Sequence, residues 1–543
     1  MKNIINLFLL FFSVNLIFGQ STIYVNSATG NDSDDGSFGS PYKTFHKGYL
    51  EANPGDILNL SGTFTWTDPD QGGGISVKGY EIKKNLTIEG QSDGTTIIQA
   101  DTTSNTASTR VLTAQETSSF NSLTLKNLTI RNGVSTTDGD VYSGTSKNTS
   151  AGLLIQTTTS NYQFVLNVQN CKFENNRING FDSSNSFSGG ALSFSGYAYG
   201  TLNIEKSVFK NNYAYVRSYG SGALYINQTV NATITDCTFE GNSGNSDYNP
   251  YYYGTSGAIY AYRNSNVKIT NCTFNSNSSN GTSGAILLHQ NTTYLTNNTV
   301  VSNSASDGIS GGVAFDSPTN IYLKNNIIAN NTLNNSPKDF YSSVSKTSNG
   351  YNIIEYYDNL NIISSDITGD QWNLFGTGVS STPNLGLNNP LNRTKTIPLS
   401  SGSIAIDNGN GGVNNDFPIP SFDQRGAYRD SSVDIGSFEY TVDTTSPTLT
   451  INSSHTNVNN YITPSLTFTL TESSTTFDAE DITLSSGSIG ALSATSSRVY
   501  TATYTPASNT VSTVIVSVAT STFTDMVNNT NTASSTTFDV DTI

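Results

Sequence analysis

The chain has 543 residues and a net charge of −16, yet only 12% of its residues are charged. A surface this acidic and this short of Lys and Arg excludes nucleic acid as a partner, because phosphate contacts need a basic footprint. Three cysteines and three scattered histidines (His46, His289, His455), with no CxxC pair, give neither a disulfide framework nor a zinc site.

In chain order, residues 1–19 read as a signal peptide: Lys2 supplies the positive end and Ile4 to Phe18 an apolar stretch too short for a membrane span. Cleavage is expected after Gly19, and no later stretch is long and apolar enough to be a membrane span. The chain is therefore expected to be secreted or held at the cell surface. Residues 20–60 form an entry and cap, with a helix expected between Tyr42 and Ala52, since an open solenoid end would expose core and strand edges. Asp32, Asp34 and Asp35 lie in the entry turn and are oxygen-donor candidates for Ca²⁺, against the alternative of Asx turns.

Residues 61–381 are repetitive. The unit LTLKNLTIRNG at Leu123 returns as LNVQNCKFENN at Leu166, LNIEKSVFKNN at Leu202, ATITDCTFEGN at Ala232, VKITNCTFNSN at Val267, TYLTNNTVVSN at Thr293 and IYLKNNIIANN at Ile321. Apolar residues alternate, pass a polar corner (Asn127, Asn170, Lys206, Asp236, Asn271, Asn297, Asn325), resume, and in the last six units end on an Asn (Asn176, Asn212, Asn242, Asn277, Asn303, Asn331). Asn tolerates left-handed backbone and can ladder with copies of itself. A second motif falls between these units: SGGALSF at Ser188, GSGALYI at Gly220, TSGAIYA at Thr255, TSGAILL at Thr282 and SGGVAFD at Ser310. Short strands joined by corners at irregular spacing specify a solenoid of parallel strands. Cys171, Cys237 and Cys272 share one position of the unit and are read as stacked buried thiols, with a Cys237–Cys272 disulfide as the alternative.

The paired GGA and FxxN motifs resemble those of β-helical bacterial surface proteins, including the chlamydial polymorphic outer-membrane proteins and pectate-lyase-like chains. The resemblance implies an all-β fold: a right-handed parallel β-helix. It also implies a carbohydrate-related role, although the aspartate pairs and basic residues of lyases and polygalacturonase-type hydrolases do not match here. Within residues 382–440, TPNLGLNNP, SGSIAIDNGN, FDQRGAYRD and VDIGSFEY resemble a choice-of-anchor Q region, read as the closing coils. There Asp423, Arg425, Arg429 and Asp434 are read as a structural ion cluster rather than a catalytic set. Residues 441–447 form a linker. Residues 448–543 resemble a bacterial Ig-like β-sandwich, with Asp525, Asn528 and Asn531 as a second Ca²⁺ candidate. The closing FDVDTI echoes YTVDTT at Tyr440, which carries the expectation of a further Ig-like repeat.

In each GGA strand the first and third following residues should face the core, as with Leu224 and Ile226. The second and fourth should face out. This places Tyr225, Tyr260, Tyr262, His289 and Asp316 on one outer face. Tyrosine rings suit stacking on sugars, which makes Tyr225, Tyr260 and Tyr262 ligand-binding candidates. A His–Asp pair suits acid–base work, which makes His289 and Asp316 the weaker catalytic candidates. The leading expectation is a monomeric adhesion or glycan-binding protein without catalysis. The rival is a polysaccharide lyase or glycoside hydrolase.

Overall fold

The computed structural model describes residues 20–543 except 72, 116, 118, 136–139, 143–145, 158–162, 181–184, 197–199, 218, 228–229, 247–253, 264–265, 370–373, 375–386, 390–391, 413–418, 441–444, 475, 497 and 526–528. The expected signal peptide and Asn528 therefore lie outside the described residues. Two compact units meet between Tyr440 and Thr441.

The first unit is a parallel β-helix. Four long sheets run its length. The first has ten strands, from Thr22–Asn26 to Asn320–Lys324, and the second eleven, from Thr63–Thr65 to Ile367–Thr368. The third has eight strands, beginning at Val134–Ser135, and the fourth eleven, beginning at Ile75–Ser76. A fifth strip of five strands includes Asn185–Gly189, Tyr219–Ser221 and Thr255–Ser256. Repeat units pair in register: Leu166 lies between Leu123 and Leu202, and Phe239 between Phe209 and Phe274. Side chains therefore stack in columns at the strand spacing of about 4.8 Å. Phe209, Phe239 and Phe274 stack with centroids 4.7 Å apart and rings within 4° of parallel.

The corner residues named from sequence, Asn127 through Asn325, all have φ between 49° and 57°. That left-handed backbone is what Asn accepts at least cost. A second left-handed corner (Asn132, Asn175, Asn211, Gly241, Ser276, Ser302, Asn330) precedes the last residue of each unit, which is Gly133 in the first and Asn in the other six. Those terminal residues, Asn176, Asn212, Asn242, Asn277, Asn303 and Asn331, are buried. Each gives its side-chain NH₂ to the Oδ1 of the Asn one rung on and to a backbone carbonyl behind it, as Asn277 does to Asn303 and Phe239, both at 2.9 Å. The column ends at buried Asp339, which accepts from Asn331 Nδ2 at 2.8 Å.

The cysteines stand in the column that continues as Asn298, Asn326 and Asn352. All three are free and buried, and the Cys237 N–H points at Cys272 Sγ at 3.4 Å.

Glycine in the GGA motif answers to crowding rather than to a left-handed corner. A Cβ on Gly190, Gly222, Gly257 or Gly284 would lie 2.0–2.3 Å from the carbonyl oxygen of the glycine one rung on. No side chain fits between those backbones.

The open end is closed by α1 (Phe45–Glu51), capped by Thr44, whose hydroxyl accepts from Lys47 N. Phe45 packs edge-on to Phe64, Trp66 and Tyr80. The helix is shorter than the Tyr42–Ala52 span expected, because Tyr42 is held instead by backbone bonds to Tyr24 and Asn26.

The segment after residue 391 departs from expectation. Among the described residues, 382–440 adds no rung to the parallel sheets. Leu387–Asn389 and Asn392–Thr396 form an antiparallel hairpin, and the chain then lies on the outer face of the second sheet. Ile397, Leu399, Ile435 and Phe438 pack there on Val301, Ile327, Ala329 and Ile353. The cause is local. The strands TVV (Thr299–Val301) and IIA (Ile327–Ala329) are apolar on both faces, so their outer side needs a cover.

The second unit is a β-sandwich. One sheet pairs Leu449–Ser453, Ser465–Leu470 and Val499–Thr505. The other pairs Val511–Val518 with Ser534–Asp541 and Ile482–Leu484. Leu466, Phe468, Tyr504, Val514, Val516 and Phe538 form its core.

Candidate functional site

The GGA strands of the fourth sheet carry the residues singled out from sequence. Their register places Asn227, Tyr262, His289 and Asp316 in one column, and Tyr225, Tyr260, Leu287 and Ala314 in another. Leu224, Ile226, Ile286, Leu288, Val313 and Phe315 face the main core, as the alternation requires.

The second column corrects the sequence reading. Tyr225 is 0% and Tyr260 2% exposed. They form a separate small core with Leu287 and Ala314, against which Tyr219 and Ile309 pack. Described residues just before three of the motifs, Tyr219, Gly254 and Ile309, lie against this outer face. Gly254 sits so close that a Cβ there would lie 2.4 Å from Leu287 Cδ2. Burial pushes both tyrosine hydroxyls well above their usual range. Tyr225 and Tyr260 therefore offer no open ring for a ligand.

The fourth column remains at the surface. Tyr262 is half-buried and stacks on His289, with centroids 4.9 Å apart. His289 Nδ1 lies 2.7 Å from Asp316 Oδ2. Ser317 donates its hydroxyl to Asp316 Oδ1 at 3.2 Å. The His289 hydrogen bond, reinforced by its charge, holds the Asp316 carboxyl below the usual carboxylate range. Next to the column, the Arg263 guanidinium lies 4.9 Å from the Tyr262 ring centre and its Nε donates to Gln290 at 2.8 Å. Left-handed corners at Arg263, Gln290 and Ser317 turn the chain out of these strands and hold the side chains at the rim. The product is a short surface row of aromatic ring, imidazole and carboxylate.

The described metal candidates make turn contacts, and Asn528 lies outside the described residues. Asp32 Oδ1 accepts from the backbone of Lys43 and Thr44, and its Oδ2 from the Thr44 hydroxyl at 2.7 Å, which ties the entry loop to the start of α1. Asp35 accepts from Ser37 N, and its hydrogen bonds to Ser37 lower its pKa. Asp34 is placed by its backbone bond to Asn31. Asp525 accepts from the backbone and side chain of Asn529, and Asn531 clamps Thr522 and Phe523. The side chains of Asp32, Asp35, Asp525 and Asn531 thus lock turns. Among the described residues no three His, Cys, Asp or Glu side chains are grouped to hold a metal ion.

The ions of the 423–439 region serve structure. Arg425 pairs with Asp423 at 2.7 Å and covers the Phe438 ring. Arg429 and Glu439 pair at 2.8 Å with both side chains 1% exposed, and Arg429 reaches Asn271 Oδ1 on the helix at 3.1 Å. Asp434 accepts backbone N–H groups of Asp407 and Tyr440 instead of an arginine.

Sequence reasoning missed a groove on the third sheet. It is open, about 310 Å³, and lined by side chains that include Ser243, Asn245, Ser278, Ser304, Thr332 and Asn334, none of its lining residues being charged. The signal was present: Ser or Thr follows the terminal Asn in each of the four rungs that line it.

Among the described residues no helix is long and apolar enough to cross a membrane. No curated protein matches the chain. Among solved structures, a pectate lyase, Pel9A, is 15% identical with a TM-score of 0.37, covering 78% of this chain and 98% of its own. A GH136 lacto-N-biosidase from Eubacterium ramulus is 12% identical with a TM-score of 0.23, covering 64% of this chain and 68% of its own. Likenesses this distant say nothing about activity. Residues 443–541, the sandwich unit, match the family model of a bacterial Ig-like domain.

Proposed function

We propose that this is an exported β-helix protein, secreted or displayed at the cell surface, that binds glycan or a partner surface without catalysis. The observation that carries the reading is the Tyr262–His289–Asp316 row. An aromatic ring, a hydrogen-bonded imidazole and a carboxylate acceptor stand side by side at the surface of a rigid sheet. That combination grips a sugar by stacking and by hydroxyl hydrogen bonds. The Ig-like unit fits a stalk. Retention of the protein on a panel of immobilised polysaccharides tests it. Tyr262→Ala and His289→Ala should each weaken retention about tenfold, the size of one stacking or charge-assisted contact. Unchanged retention in both would remove the row from the reading.

The 2.7 Å contact between His289 and Asp316 supports a second reading, acid–base cleavage of a polysaccharide. Incubation with acidic and neutral polysaccharides separates the two. New reducing ends or unsaturated uronate products, lost in His289→Ala, would establish the enzyme.

A further inference from the structure

The groove on the third sheet is built by two outward columns. Ser243, Ser278, Ser304 and Thr332 are in register in one of them. Asn245, Asn280, Ser306 and Asn334 follow two residues later in the same rungs. Between them run small residues, Gly244, Ser279 and Ala305, which keep the floor low. The wall amides are fixed. Asn280 Oδ1 accepts from Ser246 N and its Nδ2 donates to Ser246 O, each at 2.8 Å, while Asn245 Oδ1 accepts from Asn280 N at 3.1 Å. The hydroxyls of Ser243, Ser278, Ser304 and Thr332 enter no hydrogen bond among the described residues. A row of hydroxyls with open donor and acceptor capacity therefore repeats at about 4.8 Å over four rungs, roughly 14 Å in all.

One end of the groove is aromatic. The rung before Ser243 and Asn245 carries Tyr213 and Tyr215 on the same two columns. Arg177, one rung further back, lies against the Tyr213 ring at 3.8 Å from its centre. The guanidinium backs that ring, and Asn245 Nδ2 donates to the Tyr213 hydroxyl at 3.5 Å on the groove side.

We infer that this groove is a binding site for an uncharged polysaccharide, lying along the helix axis with one sugar ring against Tyr213. Three features select that occupant. Repeating hydroxyl and amide positions match a polymer of repeating hydroxyls. No charged residue lines the groove, and the nearby cation Arg177 lies behind Tyr213, so a polyuronate would lose its hydration along the four rungs without gaining counter-charges there. The aromatic end supplies the stacking surface that sugar rings use. The site shares only its ligand class with the Tyr262 row and lies on a different sheet, so the two stand or fall separately.

Affinity electrophoresis of the full chain through gels containing mannan, laminarin, xylan or polygalacturonate tests it. At least one neutral polymer should retard the protein, and polygalacturonate should not. Tyr213→Ala and Ser278→Glu should each weaken that retardation tenfold or more, with the melting temperature showing that each variant is folded. Asn334→Asp, at an exposed rim position, gives a variant with little structural risk and should weaken it at least threefold. No retardation by any neutral polymer, or retardation unchanged in all three variants, would overturn the inference. Loss confined to Tyr262→Ala and His289→Ala would overturn it too, while upholding the reading of the row. Loss confined to the groove variants would do the reverse.

Discussion

Removing one amide from the buried Asn column should be among the most damaging single changes in the helix. Asn277 takes part in four side-chain hydrogen bonds. It donates to Asn303 Oδ1 and Phe239 O at 2.9 Å, and its Oδ1 accepts from Asn242 N at 3.0 Å and Asn242 Nδ2 at 2.9 Å. Asn277→Ala strands the two Asn242 donors at a site with no solvent exposure. Each stranded buried donor costs about 1–3 kcal/mol, so the loss is about 2–6 kcal/mol. A water entering the vacated space would bring it toward the lower end. Asn277→Asp restores the acceptor but sets a carboxylate against Asn303 Oδ1 and the Phe239 carbonyl, and should cost at least as much. Ser336→Ala, at an exposed position with ordinary backbone, is the control and should stay within about 0.5 kcal/mol. Urea unfolding followed by far-ultraviolet circular dichroism reads all three. If Asn277→Ala unfolds with the control, the amide column is not a source of stability and the reasoning fails.

Gly257→Ala should destabilise by more than about 2 kcal/mol in the same assay, because its new methyl would meet the Gly284 carbonyl at 2.0 Å and backbone cannot yield. Arg429→Met should free the 397–440 segment to proteolysis at a cost of about 3–5 kcal/mol, since it leaves Glu439 buried and unpaired; adding Glu439→Leu should recover much of the loss. Burial raises Asp339 to about 7 from 3.8. The folded state therefore holds a proton that the unfolded chain has released between those values. Its contribution is complete below about pH 4 and lost as pH rises toward about 7, so the wild-type advantage over Asp339→Asn should shrink across that window in pH-dependent unfolding.

The β-helix was legible because its signals repeat. Seven units, five of them with Asn at one corner, marked the left-handed positions, and alternation within each unit marked the faces of Leu224, Ile226 and Phe315. Alternation failed where a second layer covers the sheet. Tyr225 and Tyr260 were placed outside because one face of a strand was taken to be wet. Their column also holds Leu154, Leu287 and Ala314, and the uninterrupted apolar run Ile286–Leu288 is the mark of a strand buried on both faces. The same mark, in Thr299–Val301 and Ile327–Ala329, announced that another segment would lie on the second sheet. The groove escaped notice for a different reason. Ser and Asn after a corner read as ordinary turn chemistry, and only register shows that they stack into a continuous lining.

The amide columns also explain where aspartate stands near the end of the helix. Between the side-chain amides hydrogens pass in one direction: each Oδ1 receives from the rung before, and one Nδ2 hydrogen goes to the amide of the rung after, the other going back to a backbone carbonyl. A chain of this polarity needs a final acceptor that gives nothing onward, and a carboxylate is that group. Both columns obey the requirement. Asn331 gives its N–H and its amide to Asp339 Oδ1 at 2.8 Å, and the second oxygen of Asp339 takes the Tyr356 N–H at 3.1 Å. The column that begins with the cysteines runs through Asn298, Asn326 and Asn352 to Asp366, whose Oδ1 accepts from Asn352 N at 3.0 Å and Oδ2 from Ile363 N at 3.0 Å. Thiols can occupy the early rungs because they accept only weakly and ask little of their neighbours, as Cys272 does toward the Cys237 N–H. The change from Cys to Asn at residue 298 thus begins a directed chain of amides, and Asp366 ends it, just as Asp339 ends its own.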